Sequence, residues 1–231
     1  MPQKEIVIVG ASRGLGLGLV KEYVARGWRV TATARDLAKA AELSALAAST
    51  TVLRLETVDI DDGAAATALA GRLRGAVFDV VFINAGVTGP KDQSLDRVTP
   101  AEVGALFYTN AVATVRMAEK LAPMVRPGTG VIAFMSSRVG SVSEESRGFR
   151  PLYRASKAAL NSMTRSFVAS LKGNPLTVLS LHPGWVRTDM GGPDAPVEVT
   201  TSVAGLANVI DRHAGSKSHT FIDYQGVQLP W

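Results

Sequence analysis

Tyr153 and Lys157 stand four residues apart at the start of an Ala-rich stretch that begins at Pro151, and both side chains can move protons. On a helix, that spacing puts the phenol and the ammonium on one face. A cation beside a phenol favours the phenolate, so Tyr153 can act as an acid–base group well below its free-solution pKa. A second stretch, Gly10-Ala11-Ser12-Arg13-Gly14-Leu15-Gly16, follows a short apolar run and opens a helix. Glycines there allow a tight turn and let backbone N–H groups approach a pyrophosphate at the positive helix end. The spacing is G-x₃-G-x-G, not the G-x-G-x-x-G commonest in dinucleotide sites, and a purely structural turn would use the same glycines. A Tyr–Lys pair at this spacing also arises by chance, so each signal needs its context.

That context is an alternation of short Val/Ile/Leu-rich runs with longer Ala/Leu-rich stretches, the pattern of βαβ units in a parallel sheet. Strands are predicted at Glu5–Gly10, Arg29–Ala34, Thr51–Thr57, Phe78–Asn84, Gly130–Ser136, Leu176–His182 and Thr220–Asp223. Continuously apolar cores such as Ile6-Val7-Ile8-Val9 and Val80-Val81-Phe82-Ile83 suit strands covered on both faces. Helices are predicted at Gly14–Arg26, Leu37–Ala48, Asp62–Arg74, Pro100–Met124, Pro151–Lys172 and Val199–Arg212, with Asp61 and Thr99 as caps and Gly27 and Gly173 as stops. With no repeat, low-complexity tract or linker, the expected fold is one doubly wound α/β domain of Rossmann type over residues 1–231. Its sheet has seven parallel strands with helices on both faces, the dinucleotide site in the N-terminal half and the catalytic elements from about 130 onward.

Composition narrows the function classes. A chain of 231 residues can bury a large core unaided, and the absence of cysteine excludes disulfides, Cys-based zinc sites and thiol nucleophiles. No metal site is expected. The start lacks a secretory pattern, and the longest charge-free run, Gly173 to Val186, is 14 residues, too short to span a bilayer. A cytoplasmic protein without membrane contact is therefore expected. The net charge of +5 lies entirely between Ser136 and Pro175, where seven basic residues meet Glu144 and Glu145. A nucleic-acid surface and a solvated helix face share that composition, but no recognised motif or aromatic stacking stripe is present, so no nucleic-acid partner is expected.

Taken in order, the glycine turn, Asp59, Asn84-Ala85-Gly86, Asn110, Ser136-Ser137, the Tyr153/Lys157 pair and Pro183-Gly184 resemble the short-chain dehydrogenase/reductase family. Tyr153 to Asn161, His182 to Pro196 and the ending Phe221 to Trp231 further resemble its C-factor/sniffer-type carbonyl reductases. The resemblance implies that Tyr153 is the general acid for carbonyl reduction and that Ser137 hydrogen-bonds the substrate oxygen. It further implies that Lys157 contacts the nicotinamide ribose and holds Tyr153 in its acidic range, and that Asn110 seats a water linking Lys157 to solvent. Ser137 is preferred to Ser136 because it stands three residues before Gly140. The same resemblance gives Gly10, Ser12, Gly14, Leu15 and Gly16 to the pyrophosphate turn and Asp59 and Ile60 to the adenine. Asn84, Ala85 and Gly86 go to the adenosine side, and Pro183, Gly184, Val186 and Thr188 to the nicotinamide amide.

An acidic residue ending the second strand would accept the 2′-hydroxyl of NAD(H), whereas this chain has Arg35 there and Arg13 before Gly14. NADP(H) is accordingly expected in preference to NAD(H), with Asp36 capping the next helix. Tyr153 stands sixteen positions after Ser137, where about thirteen is common in the family. The added polar segment Ser143–Phe149 either shapes the substrate entrance or is a plain insertion. Asp189–Ser202 is expected to cover the site, with Met190, Val197 and Val199 as an apolar lining. His182, His213 and His219 are read as structural or surface residues. The expected substrate is a small carbonyl or alcohol compound, and two copies are expected to pair through the long helices. The alternative is a non-catalytic dinucleotide-binding signalling protein of the same fold.

Overall fold

The computed structural model describes residues 3–144, 148–171 and 176–231. Seven strands, β1 (Glu5–Val9), β2 (Arg29–Ala34), β3 (Leu53–Thr57), β4 (Val80–Ile83), β5 (Val131–Met135), β6 (Thr177–His182) and β7 (His219–Asp223), form one sheet in the order β3-β2-β1-β4-β5-β6-β7. Every pairing is parallel. The doubly wound α/β sheet expected from the alternating pattern is thus present. Because successive side chains point to opposite faces, Ile6 and Ile8 enter one core and Val7 and Val9 the other. The first core is covered by α1 (Gly14–Ala25), α2 (Ala41–Ala48) and α7 (Val199–His213). The second is covered by α3 (Gly63–Arg72), α5 (Thr114–Leu121) and α6 (Pro151–Ser170), and α4 (Pro100–Phe107) packs on α6.

Several local readings change. The Leu37–Ala48 helix divides into a single 3₁₀ turn, Leu37–Lys39, capped by Asp36, and then α2. Asp62, not Asp61, caps α3 by accepting from the N–H groups of Ala64 and Ala65. Asp61 instead accepts from the Thr109 hydroxyl at 2.8 Å. Thr99 caps α4 as expected, in a capping box with Glu102, and Gly27 ends α1 at φ +77. The Pro100–Met124 helix is broken by a π-helical turn, Tyr108–Ala113, and ends in a 3₁₀ turn. The expected helix end at Lys172 and stop at Gly173 lie outside the described residues, as do Glu145 and Arg147. β3 is an edge strand, so only Leu53 and Glu56 are buried, and Glu56 is held by Arg54 and Arg72.

Close packing of α1, α7 and the β7 turn relies on missing side chains. A Cβ at Gly18 would stand 2.4 Å from Val199 Cγ1, and one at Gly205 would stand 2.4 Å from the Tyr224 carbonyl oxygen. Val199 therefore packs on α1 rather than lining the site. Gly205→Ala should destabilise the protein by about 1–3 kcal/mol through overpacking. Gly71→Ala, on the exposed side of α3 with nothing within 4 Å of its new methyl, should stabilise it by about 0.5–1 kcal/mol. Urea unfolding of the two variants checks the opposite signs.

Candidate active site

The carboxyl ends of the strands carry the expected residues. Gly10 follows β1, Arg35 follows β2, Asn84 follows β4, Ser136 and Ser137 follow β5, and Pro183 follows β6. Asp59 and Ile60 stand just beyond β3. The strand order reverses between β1 and β4, and there two loops pass close to each other. A Cβ on Gly10, at φ +88, would fall 2.8 Å from the Ala85 backbone. The Asn84 amide donates to the Gly10 carbonyl at 2.6 Å, joining the two sides of that crevice, while the Gly10 and Ala11 N–H groups bond Thr33 on β2. Gly16 admits no side chain either, since a Cβ would lie 2.1 Å from the Gly10 oxygen.

The turn between β1 and α1 has the chemistry of an anion site. Unlike α3 and α4, α1 starts without a side-chain cap and without an acidic residue in its first turn, which leaves N–H groups and the positive helix end available. Ser12 and Leu15 are half-buried in the turn, and Gly14 faces Thr188, whose Cγ2 would lie 3.6 Å from a Cβ there. These residues fit the pyrophosphate of a dinucleotide. Arg35 is exposed at the end of β2, and Asp36 spends one carboxylate oxygen on Ala38 N–H and places the other 3.4 Å from Lys39. Arg13 forms an ion pair with Asp189 at 2.9 Å, a contact between the glycine turn and the segment after β6. Asp59 accepts from Asp61 N–H, and the Ile60 carbonyl accepts from Arg116.

Ser137, Tyr153, Lys157 and Asn110 converge beside this turn. Lys157 is 3% exposed and donates to the Met135 carbonyl at 2.9 Å, and burial lowers its pKa to about 8. Burial likewise pushes the Tyr153 phenol up to about 12, against the pull of the Arg150 guanidinium and a hydrogen bond with Ser137. Here the phenol departs from the expected acidic range: the ammonium lies 5.9 Å from the ring centroid and turns to Met135, so burial prevails. Ser136 is engaged elsewhere, donating to buried Asn161 at 2.7 Å. Asn110, in the π-helical turn, holds Val87 through both its amide groups and donates to Ser156 at 3.0 Å; Ser156 in turn donates to the Tyr153 carbonyl. Gly86 lies between Asn110 and Lys157, its absent Cβ 3.2 and 3.4 Å from their polar atoms.

The segment after β6 folds back on itself through a bridge between Val186 and Val197 and an Arg187–Glu198 ion pair. Gly184 has φ +86, and Thr188 accepts from Gly191 N–H. Met190 is 44% exposed. His182 is half-buried with Nδ1 unpartnered among the described residues, and burial draws its pKa down to about 4. His219 is not a surface residue: its ring packs on Trp231, centroids 4.7 Å apart, and burial lowers it to about 4 as well. Trp231 also stacks on Phe221 and accepts from the Ser143 N–H and hydroxyl, which pins the start of the inserted segment. Two polar contacts escaped the sequence reading. Asp189 is one, and Gln93, whose Oε1 accepts from Tyr153 N–H at 3.1 Å, is the other.

Comparison with known proteins places these features. The family profile for short chain dehydrogenases matches residues 4–198. The C-signal protein of Myxococcus xanthus is 40% identical over 154 residues, 66% of this chain and 92% of that protein. The solved structure of a carbonyl reductase from Pseudomonas aeruginosa PAO1 in complex with NADP is 40% identical with a TM-score of 0.92, covering 99% of this chain and 100% of that one. The carbonyl reductase Sniffer of D. melanogaster is 31% identical with a TM-score of 0.88 over 99% of this chain and 100% of its own. The sheet order, the uncapped glycine turn and these matches lead to one conclusion: the chain is an oxidoreductase of the short-chain dehydrogenase/reductase family.

Proposed function

We propose that this chain is an NADPH-dependent carbonyl reductase in which Tyr153 is the proton donor. The observation that carries this reading is the meeting of Ser137, Tyr153 and Lys157 at the carboxyl end of β5, next to a helix start left open for an anion. The bound nicotinamide would supply hydride to the carbonyl carbon. Ser137 holds the carbonyl oxygen, and the Tyr153 hydroxyl, neutral at physiological pH, gives that oxygen its proton. Lys157 offers charge to the phenolate left behind and donors to the cofactor's ribose, while Asn110 fixes the Tyr153 backbone through Ser156.

The glycine turn would hold the pyrophosphate, with Asp59, Ile60, Asn84, Ala85 and Gly86 toward adenosine and Pro183, Gly184, Val186 and Thr188 toward the nicotinamide amide. The 2′-phosphate would meet Arg35, and Arg13 on leaving Asp189. The NADP complex of the Pseudomonas relative supports this assignment. The same proposal has residues 1–231 acting as one unit, paired with a second copy through α4–α5 and α6 in the cytoplasm. No helix among the described residues is long and apolar enough to cross a membrane.

Tyr153→Phe should lower kcat by about 10²–10⁴-fold, the scale of a lost general acid, with NADPH affinity held within about threefold; fluorescence titration and steady-state kinetics read the two separately. Arg13→Ala with Arg35→Ala should weaken NADPH binding at least about tenfold and leave NADH binding nearly unchanged, and a wild-type preference for NADH would overturn the cofactor assignment.

Lys157 is charged in the unfolded chain up to its ordinary 10.5 but only to about 8 in the folded one. Its burial therefore costs stability in full below pH 8, and the cost fades between pH 8 and 10.5. Lys157→Met should stabilise the protein at pH 7 by on the order of 2 kcal/mol, less as pH rises through that window. In the same window, wild-type carbonyl reduction should fall with rising pH.

A further inference from the structure

Beside Tyr153 lies an open cleft of about 500 Å³ that the residues described above do not account for. Gln93 connects it to the site: the side chain lines the cleft and accepts from Tyr153 N–H. Lys91 and Arg150 also line it, and no carboxylate does so among the described residues. Asp92, next to Lys91, is already held by Arg97 at 2.6 Å and by Ser94 N–H at 2.9 Å. The cleft is not simply charged. Leu95 and Phe149 line it while remaining 70% and 69% exposed, and the Arg150 guanidinium rests over the Phe149 ring at 5.0 Å. Cations beside bare apolar side chains form a surface that matches an amphipathic anion.

Backbone conformation singles out Arg150. Its φ of +50 and ψ of +61 are left-handed, a conformation few non-glycine residues adopt, and they occur immediately before α6. Such positions persist where the surroundings fix them and cluster at ligand-contacting sites. The charge also reaches the reacting group, for the Arg150 guanidinium pulls the Tyr153 phenol downward against the effect of burial.

We infer that this cleft receives the anionic group of an amphipathic carbonyl substrate, with its charge on Arg150 and Lys91 and its apolar body against Leu95 and Phe149. The inference rests on the carbonyl-reduction reading of Tyr153 and names the substrate class for that site. Neutral carbonyl compounds of the same shape gain nothing from the two cations, and cationic ones are repelled.

The probes are 4-formylbenzoate and 4-(4-formylphenyl)benzoate, each paired with its uncharged methyl ester, with NADPH as reductant. At low ionic strength at least one acid should exceed its ester in kcat/KM by about tenfold, the scale of one partly exposed charge-assisted hydrogen bond. Added salt should erode that preference without affecting the ester. In the double variant Arg150→Gln, Lys91→Gln the acid-to-ester ratio should fall to about one, whatever happens to the ester rate itself. Acids no better than their esters at both lengths, or a preference that survives salt and the double variant, would overturn the inference.

Binding of the corresponding alcohols, measured by calorimetry without turnover, separates the two readings. Selective binding of the acid alcohols supports the anion subsite even if no carbonyl is reduced, a result that would remove the reductase reading alone. Equal binding of acid and ester alcohols would remove the subsite.

Discussion

A lysine ammonium enclosed beside a phenol is the constraint around which the carboxyl edge of this sheet is arranged. Lys157 is buried, and an uncompensated buried cation is costly. The fold answers with a backbone carbonyl, Met135 at the end of β5, rather than with a carboxylate that would fix the charge permanently. Room comes from two glycines: a Cβ on Gly140 would lie 2.8 Å from the Lys157 backbone, and Gly86 opens space beside its Nζ. The cation is thereby kept close to the point of ionisation, where its charge responds to neighbours.

The rest of the edge is a set of rigid supports for that group. Asn84 ties the glycine turn to β4, and Asn110 ties the loop after β4 to Ser156 and so to the backbone of Tyr153. Both are amides, able to donate and accept at once, so each can join two segments without adding charge. The π-helical turn that carries Asn110 inserts extra backbone into an otherwise regular helix, a departure often found at functional positions. Catalysis by positioning needs supports of this stiffness.

Much of the architecture was legible because strands buried on both faces have unbroken apolar runs. All seven strands were located within two residues at either end, the edge strand β3 beginning two residues later than expected. Motif order pointed to Tyr153 and Lys157 and preferred Ser137 to Ser136, and in the structure Ser136 is taken up by Asn161. Gln93 and Asp189 were hidden for a different reason. Each meets its partner across 60 or more positions in the chain, and neither residue type carries a pattern that announces such a contact. The phenol's rise to about 12 was equally out of reach, since spacing says which groups share a helix face but not how dry that face is.

The contact between Ser143 and the Trp231 main-chain oxygen has a temporal consequence. Chains emerge from the ribosome in order, and 88 positions separate these two residues. Gly10, Ser137, Tyr153 and Lys157 are all synthesised well before Trp231 arrives to brace the chain at Ser143. A nascent chain thus holds Ser137, Tyr153 and Lys157 while still lacking the contact that braces Ser143.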